Sequence, residues 1–345
     1  MQKYIHRILI AAGFGLLAFM IWKLGPIELY NEFVKMGCGL AVIVLLEGVA
    51  DIFHTIAWRY CLDRTHQQLS LPSLYLIRMA GTAINYVTPT GTLGGEVVKG
   101  ALLGSESSKT RAASGVIIGK LSYVLAQLLF IATGSVAILW RVGLPVKLWV
   151  SLIVSSVILG SGIIGFLLVQ KYGKLGAVLR WVSRWNIGRK QLDRFTSVMN
   201  EVDDLLREYY RERPFDLPKS MIWHVVGFVC GIVQVWYFLH LVGGEAPFKS
   251  IAAIWFLGSW FDLVSFPVPA GIGVQEGSRL LIFDALGLTR LEGLTFGLSL
   301  RIEQIFWALA GMVSYSIVTW GQKRGKFVVR FDNNELKKQV VNASE

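Results

Sequence analysis

One stretch, used twice, constrains this chain more than any other feature. The first copy runs from Asn85 through Pro89, Gly91, Gly94, Gly95 and Glu96 to Lys99; the second runs from Ser265 through Pro267, Pro269, Gly271, Gly273, Gln275 and Glu276 to Arg279. Aligned on Pro89 and Pro269, both read Pro-x-Gly-x-x-x-x-Glu-x-x-(Lys/Arg). Each follows an apolar run and breaks it with residues that continue a helix only at a cost. Each then restarts as a helix with an acid and a base three residues apart on one face. In water this would be a turn before a surface helix. Both copies lie deep inside apolar sequence, where unpaired backbone is prohibitive, so each break must be buried in protein or line a watery cavity. Two re-entrant helical hairpins are expected.

Composition names the solvent. With 54% hydrophobic and 17% charged residues, a mean hydropathy of +0.53 and long apolar runs, the chain is an integral membrane protein. The expected fold is all-α and polytopic, with about six full transmembrane helices and two broken hairpins arranged as an inverted repeat. The net charge of +11 raises nucleic acid as a partner. The Lys and Arg residues, however, sit between apolar segments rather than in a stripe with aromatics, so they report topology. Cys38, Cys61 and Cys230 have neither metal-ligand nor redox spacing and are read as structural. No cofactor or metal is expected.

Taken in order, Ile8 to Trp22 resembles a signal-peptide core but lacks a small-x-small cleavage site, so it reads as an uncleaved first span. A polar connection with Glu28, Glu32 and Lys35 leads to a helix over 38–58, on which Glu47, Asp51 and His54 project from one side. At membrane depth such groups face the bundle interior or a wet cavity; the plainer reading puts them near an interface with no role in transport. Three ligands at this spacing on one straight helix do not close a zinc tetrahedron. A short apolar run containing Arg78 meets the first break, after which helix resumes at Glu96. A long helix over 112–139 opens with Gly115-x-x-x-Gly119 and carries Lys120. Residues 148–169 form another span, and 171–218 a charged, amphipathic cytoplasmic segment. The second round comprises 219–242, a run carrying Asp262 into the second break, and 292–320, which opens with Gly293-x-x-x-Gly297 and carries Arg301 and Glu303.

The repeat is therefore larger than its motif: 38–139 and 219–320, within one membrane domain over 1–320, followed by a polar cytoplasmic tail over 321–345. Placing the N-terminus inside puts most Lys and Arg inside and inverts the two halves. The candidate substrate-binding set is Asn85, Glu96, Lys99, Lys120, Asp262, Gln275, Glu276, Arg279, Arg301 and Glu303, with Glu47, Asp51 and His54. Of these, Glu96 with Lys99, Glu276 with Arg279, and the helix bases Lys120 and Arg301 are expected to face one shared polar cavity, with Glu303 as a partner for Arg301. The plainer alternative is two separate pairs, each capping its own helix.

Asn85 to Leu103 and Pro267 to Leu288 resemble the flippase-like transmembrane domain of lysylphosphatidylglycerol synthases, a superfamily with stand-alone hopanoid-biosynthesis-associated and archaeal lipid-linked-sugar members. The resemblance covers residues 5 to 320 and implies a lipid translocase of the cytoplasmic (inner) membrane, its partner a phospholipid or a polyprenyl- or hopanoid-type lipid. Only a short polar stretch follows Trp320, so the family's soluble aminoacyl-transferase half is not carried over. The alternatives are a membrane-embedded lipid-modifying transferase, in which Glu47, Asp51 and His54 supply acid and base, and a non-catalytic scaffold. The chain shows no nucleophile elbow, His-Glu-x-x-His pair or phosphate loop, so a transporter is favoured over an enzyme. A homo-oligomer is left open.

Overall fold

The computed structural model describes residues 2–87, 93–103, 109–138, scattered positions between 146 and 168, 203–244, 246–264 and 271–324. Pro89, Gly91, Pro267, Pro269, most of 148–169 and of 171–218, and the tail from 325 lie outside the described residues. Regular structure among the described residues is helical. The helices are α1 (Gln2–Leu24), α2 (Pro26–Met36), α3 (Gly39–Cys61), α4 (Leu71–Val87), α5 (Leu93–Leu103) and α6 (Lys109–Ile138), then α7 (Asp216–Val242), α8 (Phe248–Val264), α9 (Val274–Ala285) and α10 (Arg290–Lys323). A further helical stretch, 203–212, precedes α7.

Among the described residues, α3, α6, α7 and α10 are long and apolar enough to cross a membrane, and α1 with α2 makes a fifth candidate if the bent pair counts as one. Large apolar side chains such as Leu309 and Val313 on α10 stand 65% and 60% exposed, which suits lipid rather than water. The order of lengths recurs: 23, 17, 11 and 30 residues for α3 to α6, then 27, 17, 12 and 34 for α7 to α10.

The connection after the first helix differs from expectation. Residues 26–36 form α2, which leaves α1 at 87°. Gly25, at φ 94°, makes the corner, and Pro26 starts the helix with its fixed φ. Leu29, Glu32 and Met36 are buried on one side while Ile27, Tyr30 and Val34 are exposed on the other. Its charged residues mask this pattern in a reading by polarity.

α3 and α7, which open the two rounds, run antiparallel. The Gln234 side chain donates to the Ile43 carbonyl at 2.9 Å, His54 meets His224, and Cys61 meets Ser220, so positions rise on α3 as they fall on α7. This crossing separates two apolar cores. One gathers Ile43, Phe238, Phe283 and Phe296 from α3, α7, α9 and α10. The other gathers Leu74, Leu103, Val116 and Leu206 around the far end of α3.

The described residues that follow the two breaks differ. Gly94 and Gly95, expected to interrupt the helix, lie inside the first turn of α5. A Cβ at Gly95 would sit 2.0 Å from the Gly81 carbonyl oxygen, so glycine is present because α4 and α5 cross backbone to backbone. Gly271 and Gly273 do break the chain: both have left-handed φ, 60° and 77°, and Gly273 is the N-cap of α9. A β-carbon at Gly273 would also strike the Gly13 carbonyl of α1. The last long helix begins at Thr289, where Thr289 and Glu292 form a reciprocal capping box, with Thr289 N donating to Glu292 at 2.9 Å and Glu292 N to Thr289 Oγ1 at 3.1 Å.

Candidate functional site

The first motif places its acid between two bases. Asn85 Oδ1, on α4, accepts from the backbone N–H of Gly95 at 2.7 Å and so satisfies the start of α5 from a neighbouring helix. The Glu96 carboxylate is thereby left to side chains: Lys99 Nζ donates to both of its oxygens at 3.1 Å, and Lys120 of α6 lies 3.7 Å away. Lys120 is 36% exposed at its side chain. The ammonium groups also sit over aromatic faces, Lys99 over Trp58 and Lys120 over Tyr123.

The second motif is closed on itself. One Glu276 oxygen accepts from the Gly273 N–H at 2.8 Å and the other from Arg301 Nε at 2.7 Å, with the Glu276 side chain fully buried. The rest of the Arg301 guanidinium donates to Gln304 at 2.9 Å and Gln275 at 3.2 Å. Arg279 turns away from Glu276 and pairs with Asp262 of α8 at 2.5 Å, also donating to the Gly258 carbonyl. The expectation that Glu303 partners Arg301 gives way here, because residues two apart on a helix point to different sides. Glu303 instead hydrogen-bonds Gln234 of α7.

On α3, Asp51 forms an ion pair with Arg78 of α4, and His54 Nδ1 lies 2.9 Å from His224 Nδ1 of α7. Glu47 is within electrostatic reach of Asp51, Arg78 and Glu303, and Asp262 within reach of Tyr123. The three α3 groups therefore do face the interior. The two motif clusters lie on different helix pairs, Glu96 against α6 and Glu276 against α10, so the described contacts form separate clusters. Among the described residues no group of three or more His, Cys, Asp or Glu side chains could hold a metal ion.

Sequence reasoning passed over Arg78, Tyr123, His224, Gln234 and Gln304. The signal was available for His224 and Arg78, which are polar groups inside apolar runs and fall under the argument that singled out His54. Tyr123, Gln234 and Gln304 carry no such mark until their neighbours are known.

Antiparallel apolar helices with interior charges, among them Asp51, Glu96, Asp262 and Glu276 each facing a base on another helix, define a polytopic α-helical membrane protein. The chain belongs to the family of the lysylphosphatidylglycerol synthase TM region, whose pattern matches residues 4–311. It is also similar to a UPF0104 membrane protein of Methanothermobacter thermautotrophicus, 22% identical over 337 residues, covering 93% of this chain and 97% of that one. No solved structure matches it.

Proposed function

We propose that the protein is a lipid translocase of the cytoplasmic (inner) membrane, built as an inverted repeat of α3–α6 and α7–α10 with both termini cytoplasmic. The antiparallel crossing of α3 and α7 and the recurring helix lengths support the inversion; the first hairpin then enters from the cytoplasm and the second from outside. Acyl or prenyl tails stay in lipid, so only the headgroup needs a path. Removing a headgroup from water costs several kcal/mol, which paired donors and acceptors along the path offset.

The observation that carries this reading is the Lys99–Glu96–Lys120 cluster: two cations on one anion, partly exposed, beside the N-terminal end of a half-helix. It carries a net positive charge that an anionic phosphate headgroup complements, joined by the helix end. Binding exchanges one set of charge-assisted contacts for another rather than leaving charges bare. In liposomes containing a labelled phospholipid or polyprenyl-phosphate lipid, the wild type should accelerate transbilayer movement. A folded Glu96→Gln variant should slow it by roughly tenfold or more, the loss of a charge-assisted contact being worth about 1.5–3 kcal/mol. Wild-type rates in the variant would exclude Glu96 from the path, and no movement of any lipid by the wild type would exclude the translocase reading.

A further inference from the structure

At the α3–α7 crossing, His54 and His224 meet through their Nδ1 atoms at 2.9 Å, with side chains almost fully buried. A hydrogen bond between two Nδ1 atoms requires one ring to carry the proton there and the other to present a lone pair. The pair therefore exists as two neutral imidazoles of opposite tautomer, or with one added proton as an imidazolium donating to an imidazole. That second form strengthens the same contact, because the donor is then charged. A third state, with both rings cationic, places two N–H groups face to face and breaks it. The pair thus holds zero or one extra proton without separating the helices. His224 Nε2 is buried with no hydrogen-bond partner among the described residues, leaving the pair a polar atom open on the α7 side.

The surroundings are charged on several sides. On α3 itself Asp51 and Glu47 lie one and two turns back, Asp51 already paired with Arg78 of α4. Arg78 and, from α5, Lys99 act electrostatically on the rings. Tyr123 of α6 packs edge-on against both imidazoles, with Phe228 of α7 beside it. From α10, Glu303 lies within electrostatic range of Glu47 and Asp51. An extra proton on the pair meets repulsion from Arg78 and Lys99, and an anion arriving at Lys99 and Lys120 removes part of that repulsion. By linkage the effect is reciprocal: the anion favours the proton, and the proton favours the anion.

We propose that His54 and His224 form a single proton-binding site between the two halves of the molecule, through which a proton moves together with an anionic lipid headgroup. This rests on the translocase reading and adds a coupling ion to it. No bond other than N–H is made or broken; the proton enters from water on one side and leaves to water on the other.

The test uses the full chain in liposomes with a labelled anionic phospholipid, with and without an imposed pH difference, and 15N-histidine spectra of the same protein titrated over roughly pH 5 to 8, where imidazoles change charge. One-proton coupling shifts the steady-state leaflet distribution by about tenfold per pH unit. His224→Gln should retain downhill movement and lose the response to the gradient. The spectra should show one added proton shared by two resonances that titrate together, and in His224→Gln the remaining His54 signal should lose that shared titration. If lipid moves and the wild type ignores the gradient, or if His224→Gln keeps the full response, the coupling proposal is overturned while the translocase reading stands. If no lipid moves, the translocase reading falls, and the spectra decide the site: two histidines that titrate independently, or stay neutral throughout, overturn it.

Discussion

Glu96 and Glu276 occupy the same place in their motifs, yet their carboxylates have different tasks. At the second break Glu276 serves its own helix, one oxygen on the Gly273 N–H and the other on Arg301, in full burial. At the first, Asn85 takes over the helix start, and Glu96 faces two lysines at the longer distances of 3.1 and 3.7 Å. A carboxylate already committed to the backbone is a clamp. One held only by flexible ammonium groups can exchange them for a ligand. The two motifs therefore share a pattern of residues and use it differently, the first glutamate meeting flexible side chains and the second fixed to backbone and guanidinium.

The sharpest way to break this comparison is to remove the base in each half. Arg301→Ala leaves Glu276 charged, buried and without its partner, which typically costs about 3–5 kcal/mol. Lys120→Ala, at a partly exposed site where Lys99 remains on Glu96, should cost no more than about 1 kcal/mol. Thermal unfolding followed by tryptophan fluorescence in detergent should separate the two clearly. Equal losses would mean that the first cluster is as structural as the second.

A second contrast lies one residue before each glutamate, where Gly95 aligns with Gln275. Gly95→Ala drives a methyl group into the Gly81 carbonyl and the Asn85 amide, an overpacking cost of about 1–3 kcal/mol with loss of the Asn85 cap. Gln275→Ala removes hydrogen bonds to Arg301 and Gln304 but creates no clash, and its expected cost is about 0.5–1.5 kcal/mol. Hydrogen exchange resolved over 93–103 and 274–285 checks each change in its own hairpin. Protection lost equally from both would undo the distinction between a hairpin held by backbone contact and one held by polar side chains.

These contrasts also mark what the sequence could show. The membrane class, the helices around each break and the inward face of Glu47, Asp51 and His54 follow from periodicity and from the cost of charge in hydrocarbon, whereas the family is legible only through the resemblance of the paired motifs. The division of labour between Glu96 and Glu276 does not. It depends on Asn85 reaching a backbone N–H ten residues away and on Arg279 turning to Asp262, and both are facts of helix crossing that no spacing encodes. α2 was hidden for another reason, since charged residues on one face of a short amphipathic helix read as a polar link. Gly94 and Gly95 misled by type: glycine before an acid signals a turn in most contexts, whereas here Gly95 marks a close crossing.

The smallest effect concerns the turns that enter the two hairpins. Between α3 and α4 the chain is tied by ionisable groups: Asp63 contacts His66, and Arg59 donates to the Gln67 carbonyl at 2.9 Å. Between α7 and α8 the described ties are backbone ones, with left-handed Gly243 closing the helix and Gly244 N donating to the Leu239 carbonyl at 2.9 Å. Burial opposes the Asp63 charge, but the hydrogen bonds and charge of His66, aided by Arg111, outweigh it and hold the carboxyl below its ordinary value of 3.8. A depressed carboxylate contributes stability that is fully present above the unfolded value and fades as pH falls through the folded one. Hydrogen exchange over 62–70, corrected for intrinsic rate, should therefore rise modestly below the ordinary value of 3.8, while 243–247 stays flat. Asp63→Asn should abolish the pH dependence in the first turn and leave a constant, slightly raised exchange there. If the two turns respond alike, or if the variant still responds, the acid sensitivity belongs to the bundle as a whole and the first entry turn has no titrating tie of its own.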